Sequence, residues 1–598
     1  MHRAAASLLC VTLTVVSGLG CVSNRPHRNG RESAAAAEAT GNVSQRLETL
    51  VPELMEKAHV PGLQIAVLRD GKVVWERGFG LTNSENSDPV TTRTVFEAAS
   101  LTKPLFAYAV MKLVDRGTIE LDTSIVDVLP RELLEGFLGH STDAEAYPRE
   151  QMAKITPRQV LSHSAGMHHG DRPSPYTLLF EPGSDWSYSS DGYRLLQILV
   201  EHIEGRPLDE TIQTLVLDPL EMSASAMVWR DDFEELMASG HDLFGRPSGI
   251  RRRYEPTSSA SLYTTAGDYA RFVIAVMNGR GLRPETAREM LSWTVNMDDS
   301  GDLGWSLGFG LQRFQSEVAF WQWGDYNIFR NYVIASPERG DGVVYLSNSC
   351  NGLAICDELV RASLGVPAMG CLELEYQSYD SPFYEFFRAV AEHGAAAVQP
   401  RLPGLITSNP EFFTADRIAG MGEIFESVGM ADAAAECNRF NLQQQPDSGK
   451  LMMRAARAEI LVQRFDAARH LLERSLTAPH EAGDPVEVNW LLDYLRAIEH
   501  PVSVDENVLQ TIAGDYGARH LRVENGELVY TRDGVASSTR RTLRALATDI
   551  FVIPGVTHFK LRVVFDDQGN AVKLVGLYEG GRQGESLRND SATPQLVR

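Results

Sequence analysis

Residues 96–122 read FEAASLTKPLFAYAVMKLVDRGTIELD. Leu105, Ala109 and Leu113 recur at helical spacing, which predicts a buried helix that stops at Gly117. At its start stands Ser100-Leu101-Thr102-Lys103, the pattern SxxK. Residues three apart share one helical face, so the lysine amine is brought to the serine hydroxyl. A lysine among apolar or cationic neighbours can lose its proton and take the one on the serine. The N–H groups at a helix start also favour a developing oxyanion.

Working outward, residues 46–60 predict an amphipathic helix with Leu47, Leu50, Val51, Leu54 and Ala58 on one face. In PGLQIAVLRDGKVVWERGFG, residues 61–80, two β-rich runs flank Asp70-Gly71, a hairpin signal. Residues 157–200 mix turns with the start of a second helix that Gly205 closes, and helical segments and loops continue to about residue 300. From residue 304 the pattern changes to strands (GWSLGFGLQRF, VAFWQWG, RNYVIASP, DGVVYLSNSC) before a helix returns at 354–364. This order predicts an α+β domain over residues 46–370. Its antiparallel sheet would carry helices from both chain ends, with a helical subdomain supplied by the middle.

The chain has 598 residues, with 56 Lys and Arg against 79 Asp and Glu, a formal charge of −23 at pH 7. Such a surface repels phosphate backbones, which argues against nucleic-acid binding through a basic face. The opening MHRAAASLLCVTLTVVSGLGC has a short basic start and an apolar run too short for a membrane span, which predicts a signal peptide over residues 1–20. SGLGC resembles a lipoprotein processing site with Cys21 as the lipid-bearing residue, although Gly18 stands where leucine is usual. Ordinary signal cleavage is the alternative. Residues 21–45 read as a polar tether. Export to a periplasm, with attachment to a membrane through Cys21, is the expectation. Export permits disulfides, and the spacing leaves open whether Cys350 pairs with Cys356 or Cys371. With no CxxC and no HExxH, neither a metal nor another cofactor is implied.

Residues 371–403 read as a connector. Beyond it, VGMADAAAE at 428 and VQRFDAARH at 462 repeat at an offset of 34 residues. Over 404–485 this resembles tetratricopeptide repeats, with a plain pair of helical hairpins as the alternative. Such an array offers a concave surface for a protein or peptide partner. Residues 500–598 alternate short β-rich runs with turns such as Asn525-Gly526 and Asp533-Gly534, which predicts a small antiparallel barrel or sandwich.

SxxK is joined by Tyr188-Ser189-Ser190 and by Phe320-Trp321-Gln322-Trp323-Gly324-Asp325. Together with VPGLQIAVLRDGKVVWERGFG, TPRQVLSHSAGM, SSASLYTTAGDYARFV and GVVYLSNSCNG, these resemble the serine beta-lactamase and penicillin-binding-protein superfamily. The likeness is to its class C beta-lactamase, D-alanyl-D-alanine carboxypeptidase and serine esterase branch. The resemblance implies that Ser100 is acylated and that Lys103 is its base or electrostatic partner. It implies that Tyr188 relays protons to the leaving group and from water. The backbone N–H groups of Ser100 and Asp325 would form the oxyanion hole. Gly324 would let a substrate lie against the strand, and Trp321 and Trp323 would wall the cleft, with one of the two belonging simply to the core as the alternative. His163, in LSHSAGM, is implied to be structural.

In two places the chain departs from the pattern. Ser190 stands where an asparagine is usual, and Gln322 stands where the third motif usually has a cation. A cation there holds a substrate carboxylate, so Gln322 leans toward an esterase or a substrate lacking that group. The expected substrate is a small ester, amide or peptide, cleaved by an exported serine hydrolase that is esterase-like or acts on D-amino-acid peptides. A true beta-lactamase is the alternative within the same chemistry. A non-catalytic scaffold that binds peptidoglycan peptides or proteins is the alternative outside it.

Overall fold

In the computed structural model, residues 43–138, 149–170, 176–374, 376–533, 540–579, 581 and 583–589 are described. The expected signal peptide, Cys21 and all of the tether before residue 43 lie outside them, as does Gly534. Asp70 and Gly71 both take positive φ, 50° and 67°, as a two-residue hairpin turn with the right-handed twist requires. They join β1, Gly62–Arg69, to β2, Lys72–Gly80. β1 is buried along almost its whole length because both faces of its sheet are covered.

That sheet is completed by β5 (Val295–Asn296), β6 (Leu303–Trp305), β7 (Gly310–Phe314), β8 (Glu317–Asp325), β9 (Arg330–Ser336) and β10 (Asp341–Ser347). The short strands β3 (Phe96–Glu97) and β4 (Tyr263–Thr264) pair separately. The order in the large sheet is β2-β1-β10-β9-β8-β7-β6-β5, with every neighbouring pair antiparallel. One face packs on α1, Val43–Ala58, and α5, Cys356–Leu364, through Leu47, Val51, Leu54, Leu359 and Val360. Helices from both chain ends thus cover that face, as the element order predicts. The other face packs on α2 (Thr102–Asp115), α3 (Ser190–Glu204) and α4 (Ala266–Met277), with Leu105, Phe106, Leu195, Phe272 and Val273 in one core.

The compact unit runs through Tyr384 and so takes in residues 371–384 of the expected connector, which are sewn onto it. Tyr379 N–H donates to the Ala354 carbonyl at 3.1 Å, and the Tyr384 hydroxyl donates to Asn351 Oδ1 at 3.2 Å. Cys350, Cys356, Cys371 and Cys437 are free thiols, so none of the pairings left open by the spacing is formed.

Residues from Glu385 onward form a second unit. Its helices α6 (Ala415–Ser427), α7 (Ala431–Gln444), α8 (Gly449–Leu461), α9 (Phe465–Ser475) and α10 (Pro485–Glu499) each pack on the next. The 34-residue offset persists in space. Thr414 and Ser448 cap α6 and α8 through their hydroxyls, and the repeated Asp-Ala-Ala opens α7 and α9. The last hundred residues form two antiparallel sheets around one core that includes Leu521, Tyr530, Phe551, Leu561 and Leu574. One has four strands and the other five, and among the described residues no ladder closes them into a barrel. Of the two β architectures expected, the barrel is therefore excluded: pairing breaks between Thr542 and Arg544, where the chain passes from one sheet to the other.

Trp321 on β8 is wholly buried, and a side chain at Gly310 or Gly370 would strike its ring, 2.4 Å from the Cβ. Trp321→Ala is expected to destabilise the first unit by about 3–5 kcal/mol, the range for a buried aromatic truncation. The readout is a lower denaturant midpoint for its unfolding transition.

Candidate active site

Ser100 sits in a single 3-10 turn, Ala99–Leu101, that feeds directly into α2. Ala99 before it has φ +51°, a left-handed conformation that a residue with a Cβ adopts only when its surroundings impose it. They do so here through the segment around β4. Ala98 N–H donates to the Leu262 carbonyl at 2.8 Å, and Leu262 N–H donates to Thr102 Oγ1 at 3.0 Å. The Tyr269 hydroxyl donates to the Leu101 carbonyl at 2.8 Å. The serine is thereby presented half-buried at the head of an otherwise buried helix.

One turn on, the Lys103 amine donates to Ser100 Oγ at 3.1 Å and to the Ser259 carbonyl at 2.9 Å. Only 1% of Lys103 is exposed. Its Nζ lies 4.7 Å from the centre of the Tyr188 ring, within cation–π range. The helix start of α3 places that tyrosine. Ser189 is the N-cap, its hydroxyl accepting from Gly192 N–H at 3.0 Å and donating to the His168 carbonyl at 2.8 Å. Tyr188 immediately precedes this fixed cap. Its ring packs 4.5 Å from Trp323 and 4.3 Å from His163.

His163 accepts the Ser189 N–H on Nδ1 at 3.0 Å, which assigns its proton to Nε2. Complete burial, then the charge of Lys103, hold its pKa well below the usual histidine value. A neutral imidazole that holds Ser189 and braces the Tyr188 ring is a positioning group, as the resemblance implies. Burial likewise pushes the Tyr193 and Tyr269 hydroxyls well up, with Tyr188 a further cause.

Strand β8 supplies the other wall. Gln322 Nε2 donates to the Tyr188 hydroxyl at 3.2 Å and to the Trp323 carbonyl at 2.9 Å. β7 stops pairing at Gly310, opposite Trp321, so it leaves the β8 edge beyond that point uncovered. Tyr326 N–H donates to the Phe329 carbonyl across the β8–β9 turn. Antiparallel alternation then directs the N–H of Asp325 away from β9, toward the uncovered edge. This is the direction an oxyanion-hole donor needs.

Several expected site residues take other places. Trp321 belongs to the core, not to a cleft wall, because full burial denies it any substrate contact. Trp323 is 4% exposed and touches Tyr188, so it supports the tyrosine from beneath. The want of a side chain at Gly324 serves the chain itself: a Cβ there would lie 2.3 Å from the Ala98 carbonyl, blocking the approach of β8 to the Ser100 turn. Ser190 Oγ meets His169 Nδ1 at 3.2 Å, so a hydroxyl–imidazole pair stands where an asparagine amide is usual. His169 also lies 5.3 Å from the Tyr188 ring. It is solvent-accessible, yet the enclosing recess and then the Lys103 charge push its pKa down to about 4. Sequence reasoning gave no catalytic role to His169, Ser259, Thr102 or Tyr269. The available signal was SSASLYTTAGDYARFV, which contains all but His169 and Thr102 of these residues.

A family model described as Beta-lactamase matches residues 47–355. Over 315 residues the chain is 26% identical to esterase EstB of Burkholderia gladioli, covering 45% of this chain and 79% of that protein. It is 26% identical over 348 residues to a D-aminopeptidase of Gluconobacter oxydans, covering 54% of this chain and 63% of the other. Protein flp of Staphylococcus aureus is 21% identical over 325 residues, covering 52% of this chain and 64% of that protein. The chain thus spans less than two thirds of these last two relatives. A solved class C beta-lactamase is 19% identical with a TM-score of 0.46, covering 54% of this chain and 96% of the other.

The depressed histidines make stability pH-dependent. The unfolded chain takes up a proton at His163 near pH ~6.5, which the folded chain resists. Stability present above that pH is therefore lost as pH falls below it. His163→Gln, which cannot protonate, is expected to give a shallower fall in denaturant midpoint between about pH 7.5 and about pH 5. An unchanged slope would assign the dependence to other groups.

Proposed function

The chain belongs to the beta-lactamase family, and from that premise we propose that it cleaves an uncharged ester, or the amide of a D-amino-acid peptide, through a Ser100 acyl-enzyme. It is a serine hydrolase of the beta-lactamase-related type. The finer reading rests on one observation: the group bonded to the Tyr188 hydroxyl from β8 is the neutral amide of Gln322, where the resemblance leads one to expect a cation. A neutral donor orients the phenolic oxygen without supplying a positive charge for a substrate carboxylate. An esterase and a D-aminopeptidase among the relatives support acyl transfer from either kind of carbonyl.

In this reading, Ser100 Oγ bonds to the substrate carbonyl carbon while its proton passes to the Lys103–Tyr188 pair. The carbonyl oxygen becomes an alkoxide facing the N–H groups of Ser100 and Asp325. The carbon–oxygen or carbon–nitrogen bond then breaks, and the leaving alcohol or amine takes the stored proton. A water molecule next bonds to the acyl carbon and yields its proton to the same pair, and the serine departs as the hydroxyl. We also infer export, with Cys21 as a lipid acceptor, from the basic, apolar and small-residue order of the first 21 residues. The binding of a protein or peptide partner by α6–α10 is a further part of the proposal, supported by the 34-residue repeat.

The test exposes the parent and Ser100→Ala to a fluorophosphonate, a fluorescent penicillin and a short p-nitrophenyl ester, with intact mass and product release recorded. The expected result is a Ser100-dependent fluorophosphonate adduct and ester turnover, with little reaction toward penicillin. Rapid penicillin turnover would replace this reading with a beta-lactamase, and the lack of any Ser100-dependent adduct in folded protein would overturn the acyl-enzyme. Gln322→Lys is expected to raise the penicillin-to-ester ratio of kcat/KM by about tenfold or more, the effect of one charge-assisted hydrogen bond of about 1.5–3 kcal/mol.

A further inference from the structure

We propose that Tyr376, from the segment beyond the family-matched residues, is a positioning residue for the oxyanion hole. The Tyr376 hydroxyl donates to Asp325 Oδ2 at 2.7 Å. Asp325 is the last residue of β8, and its N–H points to the edge that β7 leaves uncovered. A strand end paired on one side only is free to pivot unless its side chain is held. Here the carboxylate is held from three directions. Tyr376 and the Arg330 Nε, at 3.1 Å, meet Oδ2, and the Asn327 N–H donates to Oδ1 at 2.6 Å.

Arg330 is itself a buried cation, 3% exposed, whose Nη1 donates to the Cys350 carbonyl at 2.5 Å. Its guanidinium lies 5.2 Å from the centre of the Tyr376 ring. One tyrosine thus both covers the buried cation and bonds to that cation's carboxylate partner. Tyr379 and Tyr384 anchor the same segment to Ala354 and Asn351 in the turn just before α5. The residue that completes the hold on the oxyanion strand lies 21 positions past the family-matched region, which ends at residue 355.

The inference rests on the proposed Ser100 acyl-enzyme, and the experiment separates the two. Tyr376→Phe keeps the ring over Arg330 and deletes only the hydroxyl. A fluorophosphonate adduct at Ser100 in the parent establishes the serine chemistry independently of Tyr376. Given that adduct, Tyr376→Phe is expected to lower kcat for ester hydrolysis about tenfold with KM little changed, as a slightly misplaced donor acts on the transition state more than on bound substrate. Affinity for a tetrahedral boronate should fall by the same factor, while the thermal midpoint stays at the parent value. Asp325→Asn, which also weakens the hold, should lower kcat, and the double variant should be little worse than either single one. An unchanged kcat in Tyr376→Phe overturns the proposal. So does a loss that appears in KM together with the thermal midpoint, which would make the contact one of stability alone.

Discussion

The amine of Lys103 lies inside the protein, and a buried amine must find acceptors for its N–H groups or destabilise the fold. It finds them in the Ser100 hydroxyl, the Ser259 carbonyl and the face of the Tyr188 ring. Each partner comes from a different stretch of chain: the head of α2, the segment before β4, and the loop before α3. Satisfying one donor group therefore brings together parts of the molecule that lie far apart in sequence.

The charge environment follows from the same group. Burial first, and the Lys103 charge second, hold His163 and His169 below the usual histidine range. Neutral imidazoles can brace without competing for the proton that catalysis must move. His163 accepts from the Ser189 N–H, and His169 pairs with Ser190, so both act on the two residues that follow Tyr188. Gln322 approaches the same phenolic oxygen from the sheet. Ser100, Lys103 and Tyr188 thus stand together with neutral donors and acceptors around them. The helical array and the β sandwich of the second unit follow a different logic, with each helix packing on its neighbour and two sheets enclosing one core.

Much of this was legible from local pattern. The Asp70-Gly71 turn, the helix behind Ser100, the β-rich runs after residue 304 and the 34-residue offset are written at short range, where periodicity and turn chemistry operate. That Ser100, Lys103 and Tyr188 meet was legible too, because their motifs are contiguous. Which of Trp321 and Trp323 belongs to the core was not legible, because alternation along β8 shows that two tryptophans share a face but not what covers that face. Nothing in the composition of 371–384 reveals that its tyrosines return to residues 325–354.

By itself, then, the sequence determined the candidate reacting groups and the order of elements that carries them, because both depend on neighbours a few residues apart. The tertiary structure decided how those groups are held. Ser259 takes the lysine proton donor, His169 joins Ser190, Gly324 clears the Ala98 carbonyl, and Tyr376 secures Asp325. These contacts join residues from about 20 to more than 200 positions apart. Their geometry exists only once the sheet has closed over its two cores, since hydrogen bonds and close approaches are set by distance in space, to which spacing along the chain is no guide at that range.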